Sequence, residues 1–322
     1  MAIPSFVLSF AGAEGAAPDS SLLNLDSPAA QLVIDPAGGA IIDFHLSGQD
    51  LNPLTWDSWN PANAKPGDKP SSLRTKGHFV CLDRWGPPNE ADKALGIGPH
   101  GEAPRSQWTV DQPAQDAGDH VSAVMSVKMP LAGMTARREI KLLKSGAVFS
   151  VRETVINENT HGRIYNVVQH PSIGLPFLST ETLVDTNATR GVIHGRDLHD
   201  ESTAIQWPSA TDSKGAPVDL RHVDGLGDPV MSSFIIEDEY GWATAASPDK
   251  GLLIGYLWKK ADYPWLNLWR RSVKGEVFSL GLEFGTTGLE EPFADLVKQG
   301  SLLGWPLFNY VDTKDSASLQ YA

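Results

Sequence analysis

Apolar residues recur along this chain with a period of two, and the runs that carry them are short. "AQLVIDPAGGAIIDFHL" (30–46), "SAVMSVKMP" (122–130), "TARREIKLLKSGAVFSVRETVIN" (135–157), "SSFIIE" (232–237), "WATAASPDKGLLIGYLW" (242–258) and "VFSLGLEFG" (277–285) each alternate or are rich in β-branched residues, and Gly, Pro, Asn or Asp bounds each one. This is the pattern of strands whose side chains point to opposite faces in turn. The clearest hairpin is "REIKLLKSGAVFSVRETVIN", in which Lys144-Ser145-Gly146 supplies the turn, with a glycine suited to positive φ. Helical periodicity is confined to a short stretch at "EPFADLVKQG" (291–300). The pattern predicts an all-β protein of large antiparallel sheets with few short helices.

Two polar connections interrupt the strands, the Pro-rich loop 57–76 and the irregular stretch 196–229. Strand-like segments continue on both sides of each without a repeat or low-complexity run between them, so residues 1–322 are expected to form a single domain. The opening "MAIPSFVLSFAGAEGA" lacks the basic start of a secretory signal, and residues 1–20 are expected to be a first strand or a loose arm.

Composition narrows the partners. Thirty-nine acidic against 26 basic side chains give a net charge of -13, which disfavours nucleic acid and anionic membranes, since both need a basic face. No apolar run approaches the roughly 20 residues of a membrane-spanning helix. The single cysteine, Cys81, excludes an internal disulfide and every multi-cysteine zinc pattern. The expectation is a soluble, cytoplasmic protein, monomer or homodimer, whose partner is small or neutral.

The chain has no HExxH, P-loop, strand-linked GxGxxG or G-x-S-x-G signature. What it offers instead are titratable side chains beside turn residues: His100 in "GPHGEAPR", His170 in "NVVQHPSIGLPF" and Glu283 in "SLGLEFGTTG". Strand ends of this kind are where a β scaffold exposes working groups, although each residue alone is equally at home in a structural role.

Taken together, these motifs resemble the aldose 1-epimerase (galactose mutarotase-like) superfamily. "HGEAPRSQW" is similar to that family's His-Gly stretch with a following Arg and Trp. "VRETVINENTHGRIYNVVQHPSIGLPF" resembles its strand, turn, strand and His-Pro passage, and "LGLEFGTTG" its C-terminal Gly-Leu-Glu strand end. The order agrees, the two histidines stand 70 residues apart as in the family, and the motifs span nearly the whole chain. Three departures fall at the motifs themselves: Pro-Ser-Ile-Gly after His170, Phe-Gly-Thr-Thr after Glu283, and an extra residue before Arg105. They bear on the substrate, which the resemblance leaves open to a larger glycan or a phosphorylated sugar.

The resemblance implies a β-supersandwich, a sugar or glycan end as substrate, and interconversion of anomers without metal or organic cofactor. Removing the proton of the anomeric hydroxyl while protonating the ring oxygen opens the ring, and a carboxylate and a histidine of tuned pKa suit that exchange. By this reading Glu283 is the base, His170 the acid and His100 a supporting group. Arg84 would fix sugar hydroxyls, with Arg74 and Arg105 as alternatives, and Asp224 or Asp228 would be the acidic sugar ligand. Trp85 and Trp269, each beside an arginine, are chosen over Trp265 as sugar platforms.

Three alternatives follow from the same residues: a non-catalytic carbohydrate-binding protein; a lyase or glycoside-processing enzyme with a second carboxylate, Glu102 or Asp224, beside Glu283; and a metal site of His78, His100 and His170.

Overall fold

The structure, a computed structural model, describes residues 22–59, 65, 67–196, 198, 201–223, 227–273 and 276–322. Two large antiparallel sheets dominate it. The first has eleven strands, and its centre runs His78–Asp83, Arg163–Ile173, Glu276–Gly285, Trp265–Val273, Met231–Ile235. The second has eight, with the hairpin Met134–Leu143 and Phe149–Asn157 near its middle. Strands account for 51% of the residues and helices for 7%, so side chains that need fixing must be fixed by strands and their connecting loops.

The two sheets differ in burial, and the difference places the site. In the eight-stranded sheet the hairpin strands alternate buried with less buried positions, as expected where only one face meets the core. In the eleven-stranded sheet, Arg163–Ile173 is buried at every position from Tyr165 onward, so both of its faces are covered. The face turned to the second sheet carries Tyr165, Val167 and Ile173, part of one buried cluster that extends from Leu23 to Tyr321 and draws on both sheets. On the opposite face, Phe79, Cys81, Trp85 and Val168 form a smaller apolar cluster under the loops.

A charged pair lies within the main core. Arg138 donates through Nε to Glu153 Oε1 at 2.7 Å, bonds the Gly39 carbonyl, and sits 4.7 Å from the centre of the Trp108 ring. Both side chains are 1% exposed, so each compensates the desolvation of the other.

The expected hairpin forms, but Gly146 does not adopt a left-handed backbone. A looser turn closes it, with Leu143 N–H on the Val148 carbonyl and Val148 N–H on the Gly146 carbonyl. The expected helical stretch is the helix Phe293–Gln299. A second helix, Glu90–Ala94, was not anticipated; Asn89 caps it with Asp92 in a reciprocal box, a five-residue element too short to show periodicity. The connection expected to be irregular, 196–229, contains Ile205–Gln206 and the small pair Ser209–Thr211 and Pro217–Asp219. No helix among the described residues is long and apolar enough to cross a membrane. The proposed arm, residues 1–20, lies outside the described residues.

Candidate active site

The site is assembled on the outer face of the eleven-stranded sheet by strand register. Gly281 pairs with Ser172 and Phe284 with Gln169 on the neighbouring strand, which sets Glu283 opposite His170 on the same face, and Phe79 pairs with His170 from the other side. Gly281, two positions before Glu283, keeps this face open. A Cβ there would stand 2.8 Å from Glu283 Oε1 and 3.1 Å from Trp269 Cβ.

His100 arrives from a loop that lies against the edge of the His78–Asp83 strand. Its backbone is left-handed (φ 63°), held by its N–H on the Gly86 carbonyl at 2.9 Å and its carbonyl under the Leu82 N–H at 3.1 Å. Gly101, also left-handed, follows because the approach to the Leu82 carbonyl leaves no room for a side chain: a Cβ would meet that oxygen at 2.3 Å.

These elements bring His100, His170, Glu283 and Trp269 to one open cavity of about 450 Å³. The rings of His100 and His170 lie 5.5 Å apart, His170 stacks on Phe79 at 4.2 Å, and Trp269 meets His170 edge-on at 5.9 Å. Trp56, Asp57, Ser58 and Thr75 line one side of the space.

Hydrogen bonds fix the orientation of each group. Trp85 Nε1–H donates to Glu283 Oε2 at 2.9 Å. His170 Nδ1 is 2.9 Å from Ser172 Oγ, whose hydroxyl donates to the His170 carbonyl; Nδ1 is therefore the donor, and Nε2 carries the lone pair in the neutral ring. His170 Nε2 lies 3.1 Å from Glu283 Oε1, yet the two are not aligned as a hydrogen bond, and Oε1 is left without a partner although Glu283 is wholly buried. The two atoms thus lie side by side without satisfying one another, in residues that both line the cavity. His100 Nδ1 faces the Cys81 thiol at 3.3 Å and the Gly86 N–H at 3.4 Å, so Nε2 is its N–H in the neutral ring.

Burial decides the charge states. It pushes the Glu283 carboxyl well up, reinforced by Glu290 and opposed by the Trp85 bond. It pushes His170 well down, with His100 adding to the effect. Burial, helped by the charge on Arg105, lowers His100 to about 4. Burial also raises Glu290, a further wall of the cavity, to about 7, with its neighbour Glu291 contributing. Perturbed carboxyl and imidazole groups gathered in one cleft mark it as a candidate functional site.

Several expected ligands lie elsewhere. Arg84 is held by Asp83 and Asp92 beside Phe293 and does not line the cavity, because the helix cap at Asn89–Asp92 presents a carboxylate to it. Arg105 is exposed and donates to the Pro99 carbonyl. Arg74 is bidentate on Asp57, at 2.7 Å. Trp85 is buried behind Glu283 rather than laid open as a platform, and Trp265 donates to the Pro306 carbonyl in the core. Glu102 accepts from the Ala132 N–H. Asp224 lies outside the described residues, and Asp228 lines a neighbouring cavity. His78 turns to the opposite face of the sheet, onto Gln169, so the three-imidazole metal set does not come together; among the described residues no group of three or more His, Cys, Asp or Glu could hold a metal ion.

Trp56, Asp57, Phe79, Met231, Arg271 and Glu290 also line the cavity without having been singled out in the sequence. Only Glu290, doubled with Glu291 just past the Glu283 strand, carried a usable sign.

Comparison of the sequence with protein-family profiles finds no match, and comparison with curated proteins finds none either. Solved structures do match. A galactose mutarotase related enzyme from Lactobacillus acidophilus superposes with a TM-score of 0.64 at 15% identity, covering 93% of this chain and 95% of the other. A galactose mutarotase-like protein from Clostridium acetobutylicum gives 0.61 at 15% identity over 92% and 93%. One from Lactobacillus casei gives 0.62 at 15% identity over 93% and 98%. The chain has the galactose mutarotase-like fold, a supersandwich of antiparallel sheets.

Proposed function

We propose that this protein is an aldose 1-epimerase-like enzyme that interconverts the anomers of a free sugar. The observation that carries the reading is the pair His170 Nε2 and Glu283 Oε1: 3.1 Å apart, not bonded to one another, and belonging to buried residues that line the cavity. The anomeric hydroxyl and the ring oxygen sit on the same carbon. Ring opening takes a proton from the first and gives one to the second, so an acid and a base side by side match the demand.

Burial favours a neutral pair, with the proton on Glu283 and the lone pair on His170 Nε2. From that state His170 takes the hydroxyl proton while Glu283 protonates the ring oxygen, and the bond from the anomeric carbon to the ring oxygen breaks. The product is the open-chain aldehyde facing an imidazolium and a carboxylate. After rotation about the next carbon–carbon bond, Glu283 recovers its proton from the chain hydroxyl as that oxygen attacks the aldehyde. His170 returns its proton to the new anomeric oxygen. The roles implied by the resemblance, Glu283 as base and His170 as acid, are those of the other tautomer, reached by moving one proton between the two side chains. His100 supplies a neutral Nε2–H donor to a sugar oxygen, and Trp269 an apolar surface for the ring.

Exchange spectroscopy by NMR on a panel of free aldoses tests the reading. The expected result is faster α/β exchange for at least one sugar at micromolar protein. Saturable binding across the panel with no acceleration would instead favour a carbohydrate-binding protein without turnover.

A further inference from the structure

Beside the catalytic cavity lies a second of about 660 Å³, and the two share a wall, Val230 and Met231. Val230 is 53% exposed, so the ridge between them is low and open to solvent. The first cavity, about 450 Å³, is at the small end of the roughly 300–1,000 Å³ typical of ligand sites, and the two together exceed what a single sugar ring requires.

The second space is furnished for a polar, uncharged ligand. Arg196 lines it, with its Nη2 on the carbonyls of Thr211 (2.8 Å) and Asp212 (3.0 Å), which fixes the guanidinium against that wall. Asp228 faces it, its Oδ2 fixed by the Ser213 N–H at 3.1 Å and hydroxyl at 2.7 Å. His194 completes the lining; its Nε2 meets Ser233 Oγ at 2.8 Å and the Gly288 carbonyl at 3.1 Å, and burial lowers it to about 4, so it adds no charge. A guanidinium and carboxylates presented together, with backbone carbonyls between, pair with alternating hydroxyl donors and acceptors. A phosphate would meet Asp212 and Asp228 as like charges. His194 also ties the two spaces together, its ring 6.0 Å from that of Trp85, which holds Glu283.

We infer that the second cavity is a sugar subsite, and that the preferred substrate is the reducing end of a neutral oligosaccharide of at least two units. Its reacting ring stands over His170 and Glu283, and the next ring crosses Val230 to reach Arg196 and Asp228. The inference rests on the catalytic cavity being a sugar site, and its experiment separates the two.

Calorimetric titration compares glucose and galactose with maltose, cellobiose and lactose, for the wild type, Arg196→Ala and Asp228→Asn, while NMR follows anomer exchange in the same samples. Circular dichroism checks that each variant is folded. The expected result is that at least one disaccharide binds about tenfold more tightly than either monosaccharide, and that both variants remove this advantage while leaving monosaccharide affinity and exchange unchanged. Equal affinity for mono- and disaccharides with exchange still accelerated overturns the subsite and leaves the catalytic reading intact. Disaccharide preference without accelerated exchange upholds the subsite and overturns the catalytic reading. Absence of binding by all five sugars overturns both.

Discussion

His100 occupies a conformation that few non-glycine residues adopt, and the reason is local: its N–H and carbonyl are both bonded to neighbouring chain segments, and its ring is caught between Cys81, Phe79 and His170. The glycines around it in the sequence pointed to a tight approach, and Gly101 makes one; the direction of the ring could not be read, because it depends on residues 14 to 19 positions away. Glu290 was legible only as half of the Glu290-Glu291 doublet, since packing against Gly86 and into the cavity is what separates it from an ordinary solvated glutamate. It has a measurable effect. As pH rises through about 7 Glu290 ionises, and its charge strengthens the hold of Glu283 on its proton. Glu290→Gln is therefore expected to move the alkaline limb of the kcat/KM profile to lower pH, as the pair loses its one proton more easily. An unchanged profile would remove Glu290 from the electrostatics of the site.

At the scale of elements, the period-two pattern located the strands of the eight-stranded sheet well, because one of their faces is wet and alternation survives. It was least informative where it mattered most. The Arg163–Ile173 strand is covered on both sides, so its sequence reads as a nearly continuous apolar run, and Gln169 and His170 cannot be assigned to faces without knowing the partners. The register settles it, putting His170 over the cavity beside Phe79 while Gln169 turns to His78 and Tyr263 between the sheets. The Arg138–Glu153 pair joins neighbouring strands of the second sheet inside the core and reaches the first through Gly39. Arg138→Met should cost about 3–5 kcal/mol in chemical denaturation, since it leaves the Glu153 carboxylate buried without its partner. A loss below about 1 kcal/mol would mean that the carboxylate finds another partner or water.

For the molecule as a whole, the fold was legible in the sequence because the motifs are ordered and strand-rich over nearly the full length, and structures at 13–15% identity share it. The cavity walls were not, because strand residues such as Phe79 and Met231 meet loop residues such as Asp57 and Thr75 there only once the chain is folded. One consequence concerns stability. Burial lowers His78 to about 3, and His100 and His194 to about 4, while an unfolded histidine titrates near 6.5. The unfolded chain thus binds more protons than the folded one below about pH 6.5, so the contribution of these groups is fully present above that value and is lost as pH falls toward 4. The raised carboxyls of Glu283 and Glu290 act in the opposite sense between pH 7 and 4.5, so the histidine part is read as a difference: below about pH 6.5 the denaturant midpoint of the wild type should drop relative to that of His194→Gln. A difference between the two proteins that does not change from pH 7.5 to 4.5 would show His194 to be solvated.

The central claim is that His170 and Glu283 act as one proton-exchanging pair on the anomeric centre. The most direct test is the mutarotation rate, followed by polarimetry with the best sugar of the panel, for the wild type, Glu283→Gln and His170→Asn, with thermal unfolding confirming that each variant is folded. Each substitution is expected to lower kcat by about 10²- to 10⁴-fold, the contribution of a positioned proton-transfer group, and the double variant to lose little more than either alone. Folded single variants that both retain the wild-type rate would contradict the account.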